Sequence, residues 1–221
     1  MFHVDTYMTD LIALLKKEFG QRLIYVGLQG SHLRGEARED SDIDVMVVFD
    51  RITTETLDAY RRVFSTLAEA EKLCGFVCEK DDLAHWNPME ICHVLHSTKD
   101  YYGTLAQLVP SHEKSDVINY IKMSVGNVYH EMCHRYLHAG EEKNAQDLPY
   151  TYRNVFFILQ NIYYLEDGAF YPTKKELLSH LQDADRPVME TMMTLSDGRP
   201  YDFGEAFRLL LAWCQDVLKR L

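Results

Sequence analysis

No stretch of the 221-residue chain stays apolar for long enough to span a bilayer, which takes about 20 consecutive residues. The first residues also lack the look of a secretory signal, because His3, Asp5 and Thr6 break up their apolar neighbours. Cysteine is scarce. The five, at positions 74, 78, 92, 133 and 214, form an odd set without metal-ligand spacing, as expected of reduced thiols in a cytoplasmic protein. Positive charge is short as well: 23 Lys and Arg against 34 Asp and Glu leave a formal net charge of −11. A nucleic-acid backbone needs a concentrated basic surface, so the balance argues against one as main partner. A cationic small molecule suits it better. Repeats and low-complexity tracts are lacking too.

What is present is core material, 47% hydrophobic residues, enough for one large domain or two small ones. Val4, Tyr7, Met8, Leu11, Ile12, Leu15 and Phe19 keep a helical period that Gly20 ends. Leu23 to Leu28 reads as a buried strand running into Gln29-Gly30-Ser31, and Ile43 to Phe49 as a second one after a polar, turn-rich segment. A helix is predicted from about Thr54, with Leu57, Tyr60, Phe64 and Leu67 on one face and Cys74-Gly75 as its stop. Phe76 to Glu79 reads as a third strand and Ile91 to His96 as a fourth. After about Ser111 every periodic segment is helical: 116–138, 151–167, 173–181, 187–195 and 203–221. Gly140 and Gly168 sit where helix-ending glycines belong, and Thr173 with Glu176 spells a capping box. The expected fold is α+β: a small mixed sheet with flanking helices over residues 1–110, then an all-helical domain over 111–221 for substrate or partner.

The chemistry gathers in the first block. A strand delivers Gly30-Ser31 at a tight turn, where glycine admits a phosphate close to the backbone and serine offers a hydroxyl. Asp42 and Asp44 open the neighbouring strand, and residues two apart on a strand share a face. Two hard oxygen ligands at one strand end suit Mg²⁺ bound together with a nucleotide's triphosphate. Two such ions would activate an attacking hydroxyl and stabilise departing pyrophosphate.

The run from Gly30-Ser31 through Arg34-Gly35 to Ser41-Asp42-Ile43-Asp44 resembles the signature of the DNA polymerase β-like nucleotidyltransferases. It is similar to their small bacterial members, the minimal nucleotidyltransferases and the aminoglycoside adenylyltransferases. The resemblance implies transfer of a nucleoside monophosphate, AMP from ATP or another nucleoside triphosphate, to an acceptor hydroxyl. Gly30, Ser31 and Arg34 would meet the nucleotide phosphates, while Asp42 and Asp44 would hold two Mg²⁺ ions. The family also supplies a third carboxylate from the next strand. Glu79 is the best placed candidate, with Asp81, Asp82 and Glu90 as rivals. A small aminoglycoside-like acceptor, and with it antibiotic resistance, is one implied role; modification of a partner protein, or an antitoxin role beside one, is the other. Either acceptor would be expected between the two domains.

A competing pattern lies downstream. His130-Glu131-Met132-Cys133-His134 matches H-E-x-x-H, which on a helix places two zinc ligands on one face with a glutamate as base. Ten histidines make a chance match easy, and the glycine and third histidine of the extended zinc-protease motif are missing. Glu166 would be a distant third ligand. Tyr152, Phe156, Phe157, Tyr163 and Tyr164 read mostly as core at helical spacing, and Lys174 and Lys175 as a solvated helix start.

Overall fold

A computed structural model describes residues 2–221 and divides them after Ser111 into two units. In the first, helix α1 (Val4–Phe19) leads through a 3-10 turn into strand β1 (Leu23–Leu28). A short helix α2 (Gly30–Arg34) and a loop return the chain antiparallel as β2 (Ile43–Phe49). Ile24 and Asp44 are half-buried, and all other residues of these strands are buried. That is why both read as continuous apolar runs rather than alternating ones. One face packs Val26, Leu28, Ile43, Val45 and Val47 under Met8, Leu11 and Leu15 of α1. The other packs Tyr25, Met46 and Val48 with Leu83 and Leu105.

Helix α3 (Thr54–Phe64) follows, capped by Thr53, whose hydroxyl accepts from the Thr56 N–H. It ends ten residues before Cys74, earlier than the periodicity predicted, and Leu57 lies 41% exposed on its outer side. Strands β3 (Leu73–Cys74) and β4 (Val77–Glu79) are two pieces of one interrupted strand parallel to β2. Helices α4 (Lys80–Ala84) and α5 (Pro88–His96) come next. The second overturns the strand expected over Ile91 to His96: Pro88 sits in its first turn and the Asn87 side chain accepts from the Met89 N–H, so the run starts as a capped helix. The last strand is β5 (Lys99–Tyr102), antiparallel on the free edge of β1.

The second unit is helical throughout its regular elements: α6 (Lys114–His138), α7 (Glu141–Asp167), α8 (Lys174–His180), α9 (Asp185–Ser196) and α10 (Phe203–Arg220). A stripe of Val117, Ile121, Val125, Val128 and Met132 buries α6. Tyr152 and Phe156 are core, as their spacing implied, whereas Tyr163 and Tyr164 are half-buried. Buried Asp185 takes the Trp213 indole N–H at 2.6 Å and the Arg220 guanidinium at 2.8 and 2.9 Å, which ties α10 to α9. The predicted Thr173–Glu176 capping box forms, and Gly168 ends α7 with φ 75°. Gly140 does not end α6. Its φ is −67° and it opens α7.

Helix α7 runs straight through Pro149, where the sequence predicted a start at Thr151. Proline has no N–H to give the carbonyl four residues back, here Ala145. Tyr201 replaces it, because its hydroxyl donates to the Ala145 carbonyl. Tyr201→Phe is expected to lower stability by about 1–3 kcal/mol, since it leaves that carbonyl unpaired. The check is a reduced denaturant midpoint at unchanged slope; a midpoint equal to wild type would mean water satisfies the carbonyl.

Candidate active site

Just past the end of β1 comes Gln29, whose backbone N–H donates to the Asp44 carbonyl at 2.8 Å. Gly30 then turns the chain with φ 69°, a left-handed angle that favours glycine. Space demands glycine as strongly as the angle does: a Cβ built on Gly30 would lie 1.8 Å from Asp44 Oδ2. The Asp44 carboxylate therefore rests directly on the Gly30 backbone. Ser31 is the second residue of α2, its carbonyl accepting from the Glu36 N–H at 2.9 Å, and Gly35 closes the helix with φ 67°. The exposed Asp42 lies just ahead of β2 on the Asp44 side of the strand.

The carboxyl of Asp44 is pushed above its ordinary range by burial, and further by the charge of Asp42; Arg34 and His32 pull it partly back. Two oxygen donors two residues apart, one half-buried and one exposed, are of the kind a hard divalent ion takes when it keeps waters and shares a phosphate. Arg34 is not a solvated surface residue. Its Nε donates to Glu36 Oε2 at 3.0 Å, and the two side chains are only 15% and 20% exposed.

The structure brings Gly30, Ser31, Arg34, Asp42 and Asp44 to one end of β1 and β2, but it does not bring Glu79. β4 runs parallel to β2 with Glu79 beside Phe49, so Glu79 stands five residues from the level of Asp44, about 16 Å along the strand. Its Oε2 accepts the Ile52 N–H at 2.9 Å, a structural duty. The residue level with Asp44 is Cys74, which is exposed. Asp81 and Asp82 follow Glu79 into α4, and Glu90 is held by the Trp86 indole. Among the described residues no three His, Cys, Asp or Glu side chains group so as to hold a metal ion. Glu79→Gln is accordingly expected to leave transfer within about twofold of wild type, since the mutation lies far from the reacting atoms. A loss of a hundredfold in kcat would return Glu79 to the site.

Sequence reasoning missed helix α5, whose neighbourhood reaches this turn at two points. His93 is held down to about 4 by burial, by His96 and by the Arg34 charge, so its ring is neutral beside Arg34. Thr98, just after α5, bonds the Gln29 side chain at 2.8 Å. Reading 91–96 as a strand hid both. The helical unit's H-E-x-x-H lies on α6 with His130, His134 and His138 exposed in a row, and Glu131 is engaged by Arg135 at 2.6 Å. Lys174 and Lys175 open α8 in that same unit.

Residues 11–105 match the family model of the nucleotidyltransferase domain. The N-terminal unit is a nucleotidyltransferase domain. Protein adenylyltransferase MntA from Thermococcus cleftensis is 53% identical over 49 residues, which are 22% of this chain and 48% of that protein. The chain thus spans about half the length of this curated relative. The solved structure of a spectinomycin adenyltransferase from Enterococcus faecialis, with ATP and spectinomycin, shares the fold over 97% of this chain and 99% of its own. The TM-score is 0.58 and the identity 14%. The Gly30-Ser31 turn and Asp42-x-Asp44 lie within the matched residues of the nucleotidyltransferase domain. No helix among the described residues is long and apolar enough to cross a membrane.

Proposed function

We propose that the chain is an adenylyltransferase that moves AMP from ATP to a hydroxyl of a small cationic acceptor, with pyrophosphate released and Mg²⁺ required. The observation that carries this reading is the Asp44 carboxylate seated on the Gly30 backbone, with Asp42 beside it. Gly30 and Ser31 would offer backbone and hydroxyl donors to phosphate oxygens. Arg34, held by Glu36 through its Nε, would offer the rest of its guanidinium fork to them. Asp42 and Asp44 would hold the metal, which when bound neutralises developing charge on the phosphates. Two carboxylates suffice for that, because Mg²⁺ completes its shell with water and substrate oxygens.

The acceptor class rests on whole-chain considerations. The net charge of −11 favours a cation, and the spectinomycin adenyltransferase shares the fold from end to end. The stretch shared with a protein adenylyltransferase favours a second reading, in which a protein hydroxyl is the acceptor. The helical unit, His112–Leu221, would recognise either. The test incubates purified full-length chain and Mg²⁺ with each labelled nucleoside triphosphate, against a panel of aminoglycosides and of proteins. Label on an aminoglycoside supports the first reading and label on a protein the second. No transfer from any triphosphate to either panel overturns both.

A further inference from the structure

Gln29 is not part of the Gly-Ser signature, yet it meets three separate pieces of the domain. Its backbone N–H reaches the Asp44 carbonyl at 2.8 Å, its chain continues directly into Gly30, and its side-chain Nε2 donates to Thr98 Oγ1 at 2.8 Å. Thr98 in turn donates its one hydroxyl proton to the Val94 carbonyl at 2.6 Å, in the last turn of α5. The hydroxyl is thereby used in both directions, and the relay runs from helix to turn: Val94, Thr98, Gln29. Its methyl group presses the same place, because a Cβ built on Gly27 would lie 2.7 Å from Thr98 Cγ2. Both bonds lie in part-buried surroundings, where they are screened little by solvent.

Resting on the proposed transferase reading, we infer that Gln29 and Thr98 are a pair of positioning residues for the phosphate-binding turn. They lock the end of β1 to the end of α5, and so set where Gly30 and Ser31 stand relative to Asp44. Neither touches the reacting atoms. A phosphate site displaced by a fraction of an ångström loses affinity for the nucleotide before it loses the metal-holding carboxylates. Thr98 matters here through its hydroxyl and not through its bulk, which makes the pair separable from packing.

The experiment compares full-length wild type with Thr98→Val, Thr98→Ser, Gln29→Met and the Thr98→Val/Gln29→Met double variant. Thr98→Val keeps shape and deletes the relay; it is expected to raise KM for the nucleotide about tenfold, the size of one lost hydrogen bond, with kcat changed less. Thr98→Ser should restore wild-type KM. The double variant should be no worse than either single one, because both break the same link. Hydrogen exchange of the amide of residue 29, whose bond to Asp44 the relay braces, should speed up about tenfold in Thr98→Val and in Gln29→Met, and supplies a readout independent of turnover. Wild-type KM and wild-type Gln29 protection in Thr98→Val would overturn the inference, as would strictly additive effects in the double variant. If wild type transfers nothing while Gln29 protection still falls in the variants, the positioning stands and the transferase reading falls.

Discussion

Asp44→Asn and Asp42→Asn are each expected to reduce nucleotidyl transfer by about a thousandfold or more, the scale of losing a group that stabilises transition-state charge through a metal. The fold should survive, and Asp44→Asn should strengthen it. In the native chain the Asp44 carboxyl is raised, first by burial and then by Asp42, against the pull of Arg34 and His32. A carboxyl whose folded pKa lies above its unfolded value opposes folding when ionised. That cost is present at neutral pH and fades as pH falls through the folded pKa. Without divalent cation, Asp44→Asn should therefore melt higher than wild type near pH 7, and the gain should shrink on acidification. A variant that melts lower at pH 7 would mean that the carboxylate is a structural acceptor. Full activity in either variant would remove the pair from the reaction.

The parts of this site that the sequence shows are those fixed locally. Leu23–Leu28 and Ile43–Phe49 are legible to the residue because both faces of each strand are covered, leaving an apolar run with sharp polar ends. Once those ends are known, Gly30-Ser31 and Asp42-x-Asp44 fall at the same edge of the sheet by antiparallel pairing alone. What could not be read depends on partners distant in sequence. Glu79 ends a strand of the right kind, but only the register with β2 shows that it stands beside Phe49 and not beside Asp44. The strand Lys99–Tyr102 carries charges and tyrosines, because it lies on an edge, and its pairing with β1 leaves no periodic trace. Ile91–His96 has the side chains of a strand, and its helix is decided upstream by Asn87 and Pro88. Pro149 reads as a break because the residue that repairs it, Tyr201, is 52 positions away. Each miss comes from tertiary context outweighing local preference.

Gly30→Ala is expected to be nearly as damaging to transfer as loss of a carboxylate, by about a hundredfold or more, and a second glycine provides the control. Gly30 and Gly35 adopt almost the same left-handed angle, φ 69° and 67°. An alanine at either position carries the same backbone penalty, about 1 kcal/mol. Their surroundings differ completely. A Cβ on Gly35 meets nothing within 4 Å, while one on Gly30 falls 1.8 Å from Asp44 Oδ2 and 2.6 Å from its Cγ. Gly30→Ala must therefore turn the Asp44 carboxylate out of its seat, whereas Gly35→Ala only strains a helix end. Both variants should lose similar stability in denaturant melts, and only Gly30→Ala should lose transfer and nucleotide binding. A displacement of about 1 Å at the reacting centre is enough for a loss of that size. Equal activity losses in the two variants would show that the turn's conformation matters and not the contact between Gly30 and Asp44. The seating of Asp44 on Gly30 would then no longer support a phosphate and metal site at this turn.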